Sequence, residues 1–226
     1  MSLTAGAVSG TFLSLLDDAE PAALLELGTH RGFPRGAVLM YEGEPGERAM
    51  ILEEGRVKVT RIEPGGHETM LSIRDPGDVV GEVSLIDERP RLATVTALER
   101  VRALVIASSV FRAHLERTPR VAVALLEVEM RRFRETTLKR SQFAASDTTG
   151  RLAARIVELS ERYGAEREDG IEIDLALTQD DIAAWTGASR AGVAKAFQTL
   201  RELGWIETHR RRLVVHQLDA LRRRAV

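Results

Sequence analysis

Gly81-Glu82-Val83-Ser84-Leu85-Ile86-Asp87-Glu88-Arg89-Pro90-Arg91-Leu92-Ala93-Thr94-Val95 is the stretch around which the rest of the chain is organised. It sets one acid, Glu82, and one arginine, Arg91, nine positions apart around a short turn that opens on glycine. A carboxylate only accepts hydrogen bonds, which suits a ribose 2′-hydroxyl, whereas a guanidinium is a forked, permanently charged donor that matches a phosphodiester bidentately. The spacing fits a small ligand that carries both hydroxyls and a phosphate. Taken singly, either residue would be an ordinary solvated charge. The ordered set Gly81, Glu82, Pro90, Arg91, Ala93, Thr94 and Val95 is what carries the inference.

On either side of this stretch, from Phe33 to about Ile106, short apolar and β-branched runs alternate with glycine and proline punctuation. Examples are Pro34-Arg35-Gly36, Glu42-Gly43-Glu44-Pro45-Gly46, Glu54-Gly55, Pro64-Gly65-Gly66 and Asp75-Pro76-Gly77-Asp78. Turn signals about every ten residues, with strands such as Arg56-Val57-Lys58-Val59-Thr60 between them, indicate an antiparallel sandwich or jelly-roll barrel. A metal-dependent cupin enzyme has the same texture, but it needs two or three ligating histidines on facing strands and only His67 lies here. Before the barrel, Phe12, Leu15, Leu16, Pro21, Leu24, Leu25 and Leu27 have a helical period, predicting one or two short helices.

After Thr118-Pro119 the period becomes helical and stays so to about Ala145. Leu126, Met130, Phe133, Thr137, Arg140 and Ala144 form a heptad seam spaced to pack against an identical helix. Val121, Leu125, Val128, Arg132 and Thr136 line a neighbouring face that can pack back on the barrel. A hinge over Ser146-Asp147-Thr148-Thr149-Gly150-Arg151, a helix Leu152 to Tyr163, a polar connection Gly164 to Gly170 and a strand Ile171 to Leu175 are expected next. Thr178-Gln179-Asp180-Asp181 then reads as a capping-box-like start, Thr186-Gly187-Ala188 as a tight turn and Ser189 as the following N-cap, which is helix-turn-helix spacing. In the second of these helices Val193, Ala196, Phe197 and Leu200 make the buried stripe, leaving Ala191, Lys195 and Gln198 outward and Arg190 in the first turn. Trp205 to Thr208 and Leu213 to His216 flank His209-Arg210-Arg211-Arg212 as a hairpin with a basic tip.

The net charge is −2, yet residues 187 to 226 hold nine basic against three acidic side chains, so the surplus sits where phosphates would be met. Arg210, Arg211 and Arg212 are expected to touch DNA, and Arg222-Arg223-Arg224 to be a solvated face. Of the 226 residues 44% are hydrophobic and 29% charged, as in a soluble globular protein of two domains, with no run approaching a membrane span. A cytoplasmic location follows. Cysteine is absent, which removes disulfides, thiolate nucleophiles, iron–sulfur clusters and cysteine-based zinc sites. His30, His67, His114, His209 and His216 show no metal-ligand spacing, so no metal and no catalytic residue are expected.

A nucleotide cassette of the form G-E-x-x-x followed by R-x-A-x-V, set in a β barrel and followed by a long helix and a winged helix-turn-helix, resembles the CRP/FNR transcription regulators, specifically the branch of the cAMP receptor (catabolite activator) type. The resemblance covers about residues 12 to 220. It implies an α+β fold: a cyclic-nucleotide-binding jelly-roll barrel over 1–118, a dimerisation helix over 119–145 and a winged helix-turn-helix over 146–226. By that resemblance Glu82 accepts the ribose hydroxyl, Arg91 pairs with the cyclic phosphate, and the backbone N–H groups of Gly81, Glu82 and Leu92 add donors. Thr136 would bond the purine from its own subunit and Thr137 from the partner. Ser189, Arg190, Ala191, Lys195, Gln198 and Arg210 to Arg212 would form the DNA surface.

The expected function is that of a cAMP-responsive homodimeric regulator without enzymatic activity or cofactor, acting on near-palindromic DNA with RNA polymerase as a further partner. Leu92 follows the cassette arginine where cyclic-GMP sites of the family tend to carry Thr or Ser, which favours cAMP. The alternative is the same DNA-binding regulator with cyclic di-GMP, cGMP or no effector. A scaffold whose helix-turn-helix binds protein is the other rival, and salt-sensitive DNA retardation separates it. The family's recognition helix usually reads S-R-E-T-V-x-R/K, against Ser189-Arg190-Ala191-Gly192-Val193-Ala194-Lys195 here. Losing the glutamate removes one base contact, so an altered half-site is expected in place of a TGTGA type. Arg91→Ala is expected to weaken cAMP binding severely without unfolding the barrel.

Overall fold

In the computed structural model of the chain the described residues are 7–17, 19–174, 177–209 and 212–225, the helix over 139–145 being described by its backbone alone. Two compact units divide at Arg134 and Glu135, inside the long helix.

The first unit opens with a 3-10 turn, Leu13–Leu15, and helix α1, Glu20–Leu25, which carries Pro21 in its first turn. Eight strands follow: β1 Gly28–Phe33, β2 Val38–Met40, β3 Arg48–Glu54, β4 Val57–Ile62, β5 Glu68–Arg74, β6 Val79–Val80, β7 Thr94–Ala97 and β8 Val101–Ala107. They pair antiparallel in two four-stranded sheets, in the orders β1-β8-β3-β6 and β2-β7-β4-β5. The tight connection at Gly55 carries the chain from one sheet to the other, and its φ of 75° requires glycine.

Strand β3 separates two cores. Successive strand side chains point to opposite faces, so Met50 and Leu52 enter the cluster between the sheets with Leu39, Val57, Val95 and Val101. Ala49 and Ile51 enter the other, under α1, helix α3 (Ser108–Arg117) and the start of helix α4 (Pro119–Ala145). Strand β8 divides in the same way, Ala103 to the first cluster and Leu104 and Ile106 to the second. Burial on both faces explains why these strands read as continuous apolar runs. Phe12 and Phe111 meet edge to face in the second cluster, centroids 6.5 Å apart.

Val121, Ala124, Leu125 and Val128 of α4 are buried in that cluster, the face assigned to barrel packing. The heptad seam is on the other side: Leu126, Met130 and Phe133 are 56%, 47% and 67% exposed. Arg140 and Ala144 of that seam have side chains outside the described residues.

The second unit holds α5 Thr148–Tyr163, β9 Gly164–Arg167, β10 Gly170–Ile173, α6 Gln179–Thr186, α7 Arg190–Glu202, β11 Ile206–His209, β12 Arg212–Val215 and α8 Leu218–Arg224, with an antiparallel sheet β11-β12-β10-β9. Two expectations are corrected. The expected hinge is largely the first turn of α5, because Asp147 caps it by accepting from the Gly150 N–H at 2.8 Å. The polar connection from Gly164 is strand β9, hairpinned to β10. Its polar composition reflects an exposed edge strand. Helix α8 was not expected as an element, and Leu221 on it is buried while its basic run ends in ion pairs: Arg222 to Glu161 at 3.0 Å and Arg224 to Asp147 at 2.6 Å. Leu175 of the expected strand lies outside the described residues.

Candidate functional site

Gly81 ends β6 with φ 83° and ψ 9°, and the chain continues as a short helix, α2, Glu82–Ile86, where the sequence suggested only a turn. Glycine is required there twice over. The left-handed backbone disfavours any side chain, and a Cβ would sit 2.5 Å from Arg91 Nη1 and 2.8 Å from Met40 Sδ.

Arg91 is buried at 5% exposure. Its Nη1 donates to the Gly81 carbonyl at 2.7 Å and to Ser84 Oγ at 3.0 Å, and Nη2 donates to the Arg48 carbonyl. Its main chain is tied to the loop after β2, with Arg91 N–H to the Glu44 carbonyl at 2.8 Å and Gly43 N–H to the Arg91 carbonyl at 2.9 Å. Burial, then the neighbouring Arg48, pulls its pKa down, against Glu82, Glu44 and Glu47; a guanidinium nevertheless stays charged. Main-chain carbonyls thus hold this buried cation in one orientation.

Glu82, 6% exposed, lies at the other end of this segment and is bonded to Arg132 of α4, Nη1 to Oε1, at 3.1 Å. Arg132 also pairs with Asp78 at 2.9 Å and with Glu129. Burial pushes the Glu82 carboxyl up to about 7, with Glu129 raising it further and Arg132 and Arg74 opposing. The Arg132 guanidinium is raised as well: against its own burial, Glu82, Asp78 and Glu129 hold it in the charged form. The cluster thus sets Asp78, Glu82 and Glu129 against Arg132 and Arg74, and the surplus acid is borne by Glu82.

Because the folded pKa of this acid is raised, the native state holds the proton more tightly than the unfolded chain between pH 4.5 and about 7. Stability is therefore lost as pH rises through that window. Relative to Glu82→Gln, which cannot ionise, the wild type is expected to lose roughly 2 kcal/mol between pH 5 and 8. Denaturant unfolding of both proteins at the two pH values checks it, and parallel behaviour would remove the raised pKa.

Sequence reasoning named Glu82 and Arg91 as site residues, set Arg132 only on the barrel-packing face of the long helix and did not single out Asp78. Arg132 stood at the polar end of an apolar helix face, and Asp78 among turn residues, where its other oxygen does accept from the Asp75 N–H at 3.0 Å. The signal was a cation one turn beyond Val128 on the inward stripe. Leu92 is 55% exposed, and Thr136 and Thr137 are exposed on α4 beyond Arg134, in the second unit.

In the second unit Thr178 and Asp181 close a capping box at the start of α6: Thr178 Oγ1 accepts from the Asp181 N–H at 3.1 Å and Asp181 Oδ2 from the Thr178 N–H at 2.8 Å. Gly187 ends α6 at φ 60°, and Ser189 caps α7 by accepting from the Gly192 N–H at 3.1 Å. Val193, Ala196 and Leu200 are buried and Phe197 half-buried, so Arg190, Ala191, Lys195 and Gln198 face outward together. Arg212 is exposed on β12, paired with Glu172 at 3.1 Å. Arg210 and Arg211 lie outside the described residues. Among the described residues no group of three or more His, Asp or Glu side chains could hold a metal, and no helix is long and apolar enough to cross a membrane.

Comparison with known proteins agrees with this geometry. Residues 30–118 match the cyclic nucleotide-binding domain family and residues 150–224 the Crp-like helix-turn-helix domain family. A CRP-like cAMP-activated global transcriptional regulator of Mycobacterium tuberculosis is 33% identical over 214 residues, covering 93% of this chain and 96% of that protein. The solved structure of TTHB099, a CRP-family transcriptional regulator of Thermus thermophilus, is 27% identical with a TM-score of 0.72, over 86% of this chain and 96% of that one. The fold is also shared with the c-di-GMP responsive regulator CLP of Xanthomonas campestris, TM-score 0.80 at 21% identity, over 88% and 99% of the two chains. With a cyclic-nucleotide-binding barrel, a Crp-like helix-turn-helix and a regulator 33% identical over nearly its whole length, this chain belongs to the CRP family of DNA-binding transcription regulators, which are not enzymes.

Proposed function

We propose that this regulator responds to cAMP, acts as a homodimer on near-palindromic promoter DNA in the cytoplasm and works with RNA polymerase. The observation that carries it is the ion pair between Glu82 and Arg132, which ties the ligand segment to the long helix. The cyclic phosphate is placed on the Arg91 guanidinium, with backbone donors from Gly81, Glu82 and Leu92, and the ribose 2′-hydroxyl on Glu82. Since Glu82 already bonds Arg132, a ribose hydroxyl arriving there competes for or re-orients that pair. Ligand binding is thereby felt on α4. Thr136, one turn beyond Arg132, and Thr137, on the exposed seam, are assigned to the purine, the latter from the partner subunit.

The exposed stripe Leu126, Met130 and Phe133 supports a helix-to-helix dimer, since large apolar side chains at heptad spacing bury well against a copy of themselves. A two-fold dimer places two α7 helices in successive major grooves about 34 Å apart. The DNA surface is assigned to Ser189, Arg190, Ala191, Lys195, Gln198 and the wing residues Arg210, Arg211 and Arg212. The name of the Mycobacterium tuberculosis relative supports cAMP. Calorimetric titration with cAMP, cGMP and cyclic di-GMP tests the effector: the expected result is tight binding of cAMP with the other two weaker at least about tenfold. Binding of none, or preference for cyclic di-GMP, would withdraw the ligand assignments.

A further inference from the structure

Asp180 and Asp181 are neighbours in sequence with opposite fates. Asp181 is 6% exposed and consumed by the capping box of α6. Asp180 points outward, and its Oδ1 forms an ion pair with Nε of Arg190 at 2.9 Å, across the turn that joins α6 to α7. Both side chains are largely exposed, so the pair adds little to stability.

What it does for Arg190 is another matter. Arg190 occupies the first turn of α7, where the helix dipole disfavours a cation, and that turn contains no acid. The next two residues are Ala191 and Gly192, which have no polar side chain to hold the guanidinium. Asp180 therefore supplies from the other helix the negative charge that α7 lacks. Its closest approach to the guanidinium is at Nε, at the base of the fork rather than at the two terminal amino groups that form its end. Those two groups are the ones that can meet guanine O6 and N7 end-on.

An acid on a DNA-facing surface also repels phosphates. It costs binding energy wherever DNA is met without a guanine in reach of Arg190, and is offset where the fork is filled. We propose that Asp180 is a positioning residue for base recognition: it holds Arg190 by Nε for end-on reading of one guanine per half-site and disfavours binding to DNA that lacks it. This rests on α7 being the DNA-reading helix.

The test uses the full-length protein with saturating cAMP. Selection from random DNA with wild type gives the preferred site, and the position whose guanine preference disappears in Arg190→Ala is the one Arg190 reads. Fluorescence anisotropy then compares that site with the same site carrying adenine at this position, for wild type, Asp180→Asn, Asp180→Glu, Arg190→Ala and the Asp180→Asn/Arg190→Ala double variant. The expected result is that Asp180→Asn lowers discrimination at this position at least about fivefold. It should also tighten binding to the adenine-bearing site, leave discrimination elsewhere unchanged and be without effect on discrimination in the Arg190→Ala background. Asp180→Glu should restore part of the discrimination. Unchanged discrimination in Asp180→Asn, or an equal loss at every position, overturns the proposal while leaving α7 as the reading helix. Wild type that binds no DNA in a salt-sensitive way overturns both.

Discussion

Arg91→Ala is expected to weaken cAMP binding by at least about a hundredfold, because two charge-assisted hydrogen bonds to a phosphodiester are lost at about 1.5–3 kcal/mol each. The structure adds a second effect that the sequence did not suggest. Arg91, 5% exposed, is the donor to the carbonyls of Gly81 and Arg48 and to Ser84 Oγ. Alanine leaves these acceptors unsatisfied at about 1–3 kcal/mol for a buried group. The variant is therefore expected to melt several degrees lower as well, while the barrel stays folded. Calorimetry at a temperature well below its melting point separates the two effects. Arg91→Lys keeps the charge without the fork and should fall between. A well-folded Arg91→Ala protein that still binds cAMP normally would sink the phosphate assignment.

The Leu126→Glu/Phe133→Glu double variant is expected to be a monomer in sedimentation equilibrium at micromolar concentration. Each side chain fully buried against a partner is worth about 1.5–3 kcal/mol and appears once on each helix, so the pair removes enough to raise the dissociation constant more than a thousandfold. Both residues are more than half exposed on the single chain and belong to neither core cluster, so the barrel should remain folded by circular dichroism. Binding to a two-half-site DNA should weaken at least about a hundredfold, since the two heads no longer share one binding event. A double variant that stays dimeric would move the dimer contact elsewhere.

Much of the fold was legible because its signals are local. Glycine at Gly55 and Gly81 marks left-handed backbone, Pro119 opens α4, and Thr178, Ser189 and Gly187 cap the two helices of the helix-turn-helix. The two faces of α4 were legible as well, because a 3.6-residue period assigns Val121, Leu125 and Val128 to one side and Leu126, Met130 and Phe133 to another without reference to what covers them. Where such signals are weak, the reading slipped. The α5 start was hidden because Gly150 and Ser146 look like linker residues, while Asp147 was the cap. Strand β9 was hidden because an exposed edge strand carries no apolar alternation.

By itself, then, the sequence determined the order and type of most of the elements and the spacing of the cassette, since these depend on backbone preference and periodicity within a few residues. The tertiary structure alone decided which charges meet. Arg132 reaches Asp78 and Glu82 across 54 and 50 residues of chain, and Arg190 finds its acid on the preceding helix. It also decided that the Glu82 carboxyl is lifted to about 7. Burial and through-space charge have no counterpart in local sequence, because desolvation depends on what the whole fold packs around a group.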